Sequence, residues 1–164
     1  MQLKPLHKDA IPAALAKAER YRLLSEPWQS ESICQDVLRI DPDNQEALIM
    51  LILALTDQFD KGTRVDEARD LIPRLNNEYD RAYYSGLISE RRAYCLLHQA
   101  RHGSGGMIHQ WLTEAMGWYE KAEAVRPPQN DDALLRWNTC ARVLMRHSHL
   151  KPAEEERQDP ILSE

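Results

Sequence analysis

Two histidines stand four residues apart in "CLLHQARHGSGGMIH": His98 and His102, with Cys95 one turn before the first and His109 beyond a glycine-rich link. On a continuous helix such a pair shares one face, the spacing at which two imidazoles can hold one metal ion. The resemblance to a metal site stops there. No carboxylate lies between them as it does in an HExxH zinc site, and the glycines separate His109 from the pair. A polar helix end is the simpler reading, since histidines suit the negative pole of the helix dipole. "HGSGG" invites comparison with a phosphate-cradling loop, but it lacks the Lys–Ser/Thr ending of a P-loop and joins helical segments. It reads as a connector, long enough to serve as a binding loop.

The carboxylates Asp57 and Asp60, Asp66, Glu67 and Asp70, and Glu154 to Glu156 are scattered over polar faces and the tail, with no nucleophile spaced against them. GxSxG, HExxH and CxxC are all missing from the chain. The expectation is a protein with no catalytic residue and no cofactor, hence not an enzyme.

With 164 residues, 43% of them hydrophobic, the chain can build one helical domain with a core, and six glycines are too few for a many-turned β protein. A net charge of −5, with Lys and Arg interspersed among Asp and Glu, argues against nucleic acid or an anionic membrane as a partner. Cys34, Cys95 and Cys140 are an odd number of distant cysteines in helical surroundings. They read as reduced thiols, and with no secretory h-region at the N-terminus the expected location is cytoplasmic.

Apolar residues recur at helical spacing, and about seven helices are expected. The first runs near 10–25, and the second opens at Pro27 and stops at Asp41–Pro42. Asp43 with Glu46 makes a capping box for the third, which carries the apolar run Ala47 to Leu55 and ends near residues 60–62. Thr63 with Asp66 opens the fourth, which Pro73 should kink. The fifth spans about 79–100 and the sixth about 107–125. The seventh, "ALLRWNTCARVLMRH", follows Asn130 as cap. "LKPAEEERQDPILSE" is polar and twice broken by proline, a composition that does not build a packed core. The domain reading is an N-terminal extension over 1–9, a helical domain over 10–148 and an acidic tail over 149–164.

The helices fall into pairs, and "AERYRLLSEPWQSESICQDVLRIDPDNQEALIMLILAL" resembles a tetratricopeptide repeat (TPR), a 34-residue helix–turn–helix unit. Ala18 and Tyr21 match the small and aromatic positions of a first helix, Val37 the small position of a second, and Pro42 the terminal proline. Ser30 and Cys34 replace the usual alanine and aromatic. In "EAMGWYEKAEAVRPP", Ala115, Tyr119, Ala122 and Pro127 fit the second-helix pattern without a gap. "RAYYSGLISERRAYC" fits a first helix through Tyr83 and Gly86, and the middle unit with Ala68, Ile72 and Leu75 is the weakest. The resemblance covers Ala10 to Met145, with insertions around "DKGTR" and "QARHGSGGMIH". It implies an all-α, TPR-like α-solenoid of about three antiparallel helix pairs plus a C-terminal capping helix.

Such a stack would surround the third helix on all sides, which accounts for its apolar run. It would also line a concave groove with one face of each first helix: Leu15, Glu19 and Arg22; Ile49, Leu53 and Thr56; Tyr83, Leu87, Glu90 and Arg91; then Arg142. The implied function is an adaptor that binds a partner peptide or helix in that groove. The chain's own ends, "MQLKPLHKD" or "DPILSE", are the alternative cover. Co-chaperone TPR domains hold a carboxylate with a Lys/Asn set here, and Leu15 and Glu19 do not match it. Two alternatives remain: a dedicated small acidic chaperone of one client, like those of bacterial secretion systems, and a structural subunit. Leu135, Cys140 and Val143 widen the apolar arc of the seventh helix and suggest a partner surface or homodimer there. The four tryptophans read mainly as core, with Trp111 and Trp118 on one face of the sixth helix.

Overall fold

The computed structural model describes residues 1–61, 64–99 and 104–152. Among them are seven α-helices and no strand: α1 (Ile11–Leu23), α2 (Pro27–Ile40), α3 (Gln45–Thr56), α4 (Val65–Leu71), α5 (Glu78–His98), α6 (Gly105–Ala124) and α7 (Asp132–Arg146). The chain is all-α as the periodicity requires, and no described helix is long and apolar enough to cross a membrane.

Local chemistry sets most of the helix ends. Ser25, at φ 62°, ends α1 in the left-handed region; its N–H reaches Arg22 O and that of Glu26 reaches Tyr21 O. This paired closure satisfies carbonyls that the helix end would otherwise orphan. Pro27 then occupies the first turn of α2, where its missing N–H costs nothing. The cap of α3 differs from the expected Asp43–Glu46 box. Asn44 is the N-cap, its Oδ1 accepting from Ala47 N at 2.9 Å while its amide donates to Asp41. Asparagine sits one residue closer to the orphan donors and serves as well as aspartate. Asn77 caps α5 through Tyr79 N, and Asn130 Oδ1 accepts from Asp132 N at the start of α7, beside Asp131 at the N-cap.

Two other expectations shift. The third helix ends at Thr56, short of 60–62, and a 3-10 turn over Phe59–Lys61 follows. Pro73 does not kink a continuing helix: α4 stops at Leu71 and becomes a 3-10 turn over Ile72–Arg74, where the proline takes a first-turn position. Thr63, the expected cap of α4, lies outside the described residues; Arg64 holds the N-cap position.

Each helix folds back on its predecessor, except that α5 follows α4 through the Ile72–Arg74 turn. In addition, α3 touches α1 and α5. With α1, α2, α4 and α5 all against it, α3 is mostly enclosed: Ala47, Leu48, Ile52 and Ala54 are fully buried, and Ile49 and Leu53 keep one face partly open. One core cluster surrounds α3, and a second joins α5, α6 and α7. Trp111 packs against both clusters, and Trp118 and Trp137 lie against the second. Leu150, just past the expected boundary at 148, is 5% exposed and belongs to that second cluster. Leu6 of the expected N-terminal extension likewise packs against a small cluster of Ile11, Leu15, Val37 and Ala47.

Candidate functional site

The C-terminal turns of α1, α3 and α5 meet around a cavity of about 670 Å³. Arg22 and Leu23 come from α1. Thr56 and Asp57 end α3, with Phe59 and Asp60 just beyond. Arg91, Tyr94, Cys95 and His98 descend the last turns of α5, and Ser25 and Pro27 complete the wall from the α1–α2 turn.

One carboxylate organises the charges. Asp57 accepts from Arg22 Nε at 2.8 Å, a direct charge-assisted bond between α1 and α3. Arg91 approaches the other oxygen at 3.8 Å, an ion pair but too long for a hydrogen bond. Its Nε is shielded from solvent and has no hydrogen-bond partner. Arg91 thus carries donor capacity that the fold leaves unused. Thr56 is buried, its hydroxyl donating back to Leu53 O. Cys95 Sγ lies 3.4 Å from Phe59 O. Tyr94 packs its ring into the second cluster, and burial with the nearby Glu90 charge pushes its phenol well up. The walls are therefore apolar at Pro27, Phe59 and Tyr94, with an arginine on either side of Asp57.

The residues expected to line a groove separate into three groups. Arg22, Thr56 and Arg91 come together at the cavity. Ile49 and Leu53 are partly exposed on α3, and Glu19 and Arg142 are exposed on α1 and α7. Leu15 and Leu87 are instead core residues, 2% and 1% exposed. Glu90, expected on a groove edge, is 1% exposed and anchors a buried polar network. Tyr119 Oη donates to its Oε2 at 2.5 Å, Arg136 Nη1 lies 3.3 Å from its Oε1, and Arg136 Nε donates to Tyr83 Oη. The network ties α5, α6 and α7 together. Burial and the Glu90 charge hold the Tyr119 phenol far above its ordinary range.

The seventh-helix surface also divides. Leu135 is 59% exposed and Val143 partly so, whereas Cys140 is fully buried against the second cluster. Cys140 therefore cannot serve an external contact. Of the histidines, His98 is exposed with Nδ1 against Tyr94 O, and His109 lies on α6. His102 lies outside the described residues, and among those described no three His, Cys, Asp or Glu side chains are placed to share a metal ion.

Sequence reasoning missed Asp57, Tyr94 and Arg136. For the first, a signal was present: Arg22 and Asp57 are 35 residues apart, and Asp57 to Arg91 is 34. Residues one repeat length apart would occupy equivalent places on successive pairs. Nothing comparable marks Arg136, whose partners lie 46 and 53 residues away on α5.

Comparison with family models, with curated proteins and with solved structures finds no match for this chain.

Proposed function

We propose that the chain is a TPR-like helical-repeat domain, and that it acts as a protein-interaction adaptor rather than an enzyme. Several features support the repeat. The first helices touch one another in succession, and the small positions Ala18, Val37, Ala115 and Ala122 are fully buried. The spacing of Arg22, Asp57 and Arg91 agrees with one repeat length.

The observation that carries the function is the cavity itself. The C-terminal turns of α1, α3 and α5 bring Arg22, Asp57 and Arg91 to one opening of about 670 Å³, which Asp60 also lines. An extended peptide with a carboxylate beside apolar side chains fits this lining. Its carboxylate would meet the outer edge of the Arg91 guanidinium, on a side chain that is 37% accessible, with the planar two-point geometry that guanidinium favours. Ile49 and Leu53 continue the surface along α3.

The test is affinity capture from native lysate with wild type beside Arg91→Glu, followed by calorimetry with the purified protein retained. Wild type should retain a partner that Arg91→Glu loses. Identical capture by both proteins ends the reading. The exposed Leu135 and Met145, 59% and 80% accessible, favour a second contact on α7 between copies of the chain. A monomeric mass in light scattering at tens of micromolar would remove it.

A further inference from the structure

Among the described elements α7 packs on α6, and its Arg136 reaches inward to Glu90 on α5. Its outer face is left exposed. Leu135 and Met145 stand there, 59% and 80% accessible, with Asn138 and Arg142 between them. These four residues recur at steps of three, four and three, the spacing that holds a stripe against one neighbouring helix.

The two ends of the helix carry opposite charge. Asp132 lies in the first turn and Arg146 in the last, both exposed. Neither is ion-paired with another described residue, whereas the adjacent Asp131 is held by Arg126 at 2.9 Å. The face complements itself when a second copy of α7 runs the opposite way. With Leu135 set against the second copy's Met145, the same register brings Asn138 against Arg142 and Asp132 beside Arg146. A two-fold axis then repeats every contact. Parallel packing would instead stack Asp132 on Asp132 and Arg146 on Arg146, and would align the two helix dipoles.

We propose that α7 is a self-complementary docking face for a second copy of this chain, the two helices lying antiparallel about a two-fold axis. The proposal rests on the contact between copies offered above as a second reading, and gives it a geometry. Leu135 and Met145 supply the apolar contacts, and the Asp132–Arg146 pairs fix direction and register. Two helices of 15 residues, each about 22 Å long, bury less than the roughly 1,200 Å² of a standard interface. The dimer is therefore a reversible one, with a dissociation constant of about 10 μM.

The experiment is sedimentation equilibrium of the full chain from about 1 to 100 μM, a range that brackets the expected constant. Wild type should pass from mostly monomer to mostly dimer. Leu135→Asn should weaken association about 10-fold with an unchanged urea midpoint, since the side chain is exposed in the single chain. Asp132→Arg and Arg146→Asp should each weaken it about 10-fold, because each sets two like-charge contacts in its own dimer. An equimolar mixture of those two variants should recover wild-type association, since in the mixed dimer both contacts again join opposite charges. The outcomes separate the readings. A wild type still monomeric at 100 μM removes both this geometry and the contact between copies. A dimer equally tight in the two charge variants keeps a contact between copies and overturns this geometry. A mass that climbs past the dimer overturns it too, and points to head-to-tail association through the exposed Leu23 and Leu24. The cavity reading stands or falls separately, on capture by Arg91→Glu.

Discussion

A glycine-to-alanine change in a helix ordinarily stabilises by up to about 1 kcal/mol, because alanine loses less backbone entropy on folding. At Gly86 the sign should reverse. A Cβ there would stand 2.7 Å from Tyr119 Cε1 and 2.9 Å from Cδ1. Ordinary contact begins near 3.4 Å, so the ring would have to retreat by about 0.7 Å. It has little room, because Tyr119 is fully buried and its hydroxyl is bound to Glu90 at 2.5 Å. Overpacking costs about 1–3 kcal/mol, and weakening a bond to a charged acceptor adds up to about 1.5 kcal/mol. Less the propensity gain, Gly86→Ala should destabilise by about 1–3 kcal/mol, lowering Tm by roughly 3–10 °C for a chain of this size. Gly117 provides the control. Nothing lies within 4 Å of its Cβ position, so Gly117→Ala should stabilise by about 0.5–1 kcal/mol. Urea melts of both variants decide the matter. A Gly86→Ala protein as stable as wild type would refute the close-contact argument. In Gly86→Ala/Tyr119→Leu, the loss should fall well below the sum of the single losses.

Glu90→Ala should cost about 3 kcal/mol in chemical denaturation, since it strands Arg136 and the Tyr119 hydroxyl; Glu90→Gln, which keeps an acceptor, should cost less. Arg64 binds both oxygens of Glu31 at 2.7 Å and holds its carboxyl below the ordinary range, mainly through those hydrogen bonds. The resulting stability is present above the unfolded-state value of 4.5 and is lost as pH falls through the folded value, so Arg64→Met should flatten the acid limb of a urea-midpoint profile. At the alkaline end, burial pushes the Cys34 and Cys140 thiols up from 9.0 to about 12. The unfolded chain then loses protons that the folded chain keeps, so stability should fall from about pH 9 towards 12, and a urea midpoint equal at pH 8.5 and 10.5 would contradict it.

The helices and the mostly buried setting of α3 were legible in the sequence because each rests on local chemistry. Periodicity marks a buried face, prolines and asparagines mark ends, and a helix apolar all round needs neighbours all round. Asp43 and Asn44 show the resolution of that chemistry: either side chain can cap, and backbone geometry one residue away decides between them. The site was legible only in part. Arg22, Thr56 and Arg91, expected to line one surface, do meet at one cavity. The errors at Leu87 and Glu90 have one cause. The long α5 packs extensively against α6, and Arg136 of α7 reaches back to it, so the face predicted to open onto a groove is covered here. A glutamate in an amphipathic pattern reads as solvated unless its partners are known, and those of Glu90 are a tyrosine 29 residues on and an arginine 46 residues on. Burying that charge requires both partners in place. The α5–α6–α7 end of the helical domain is therefore closed by a specific polar contact, whereas the cavity between α1, α3 and α5 stays open with the Arg91 guanidinium in its wall.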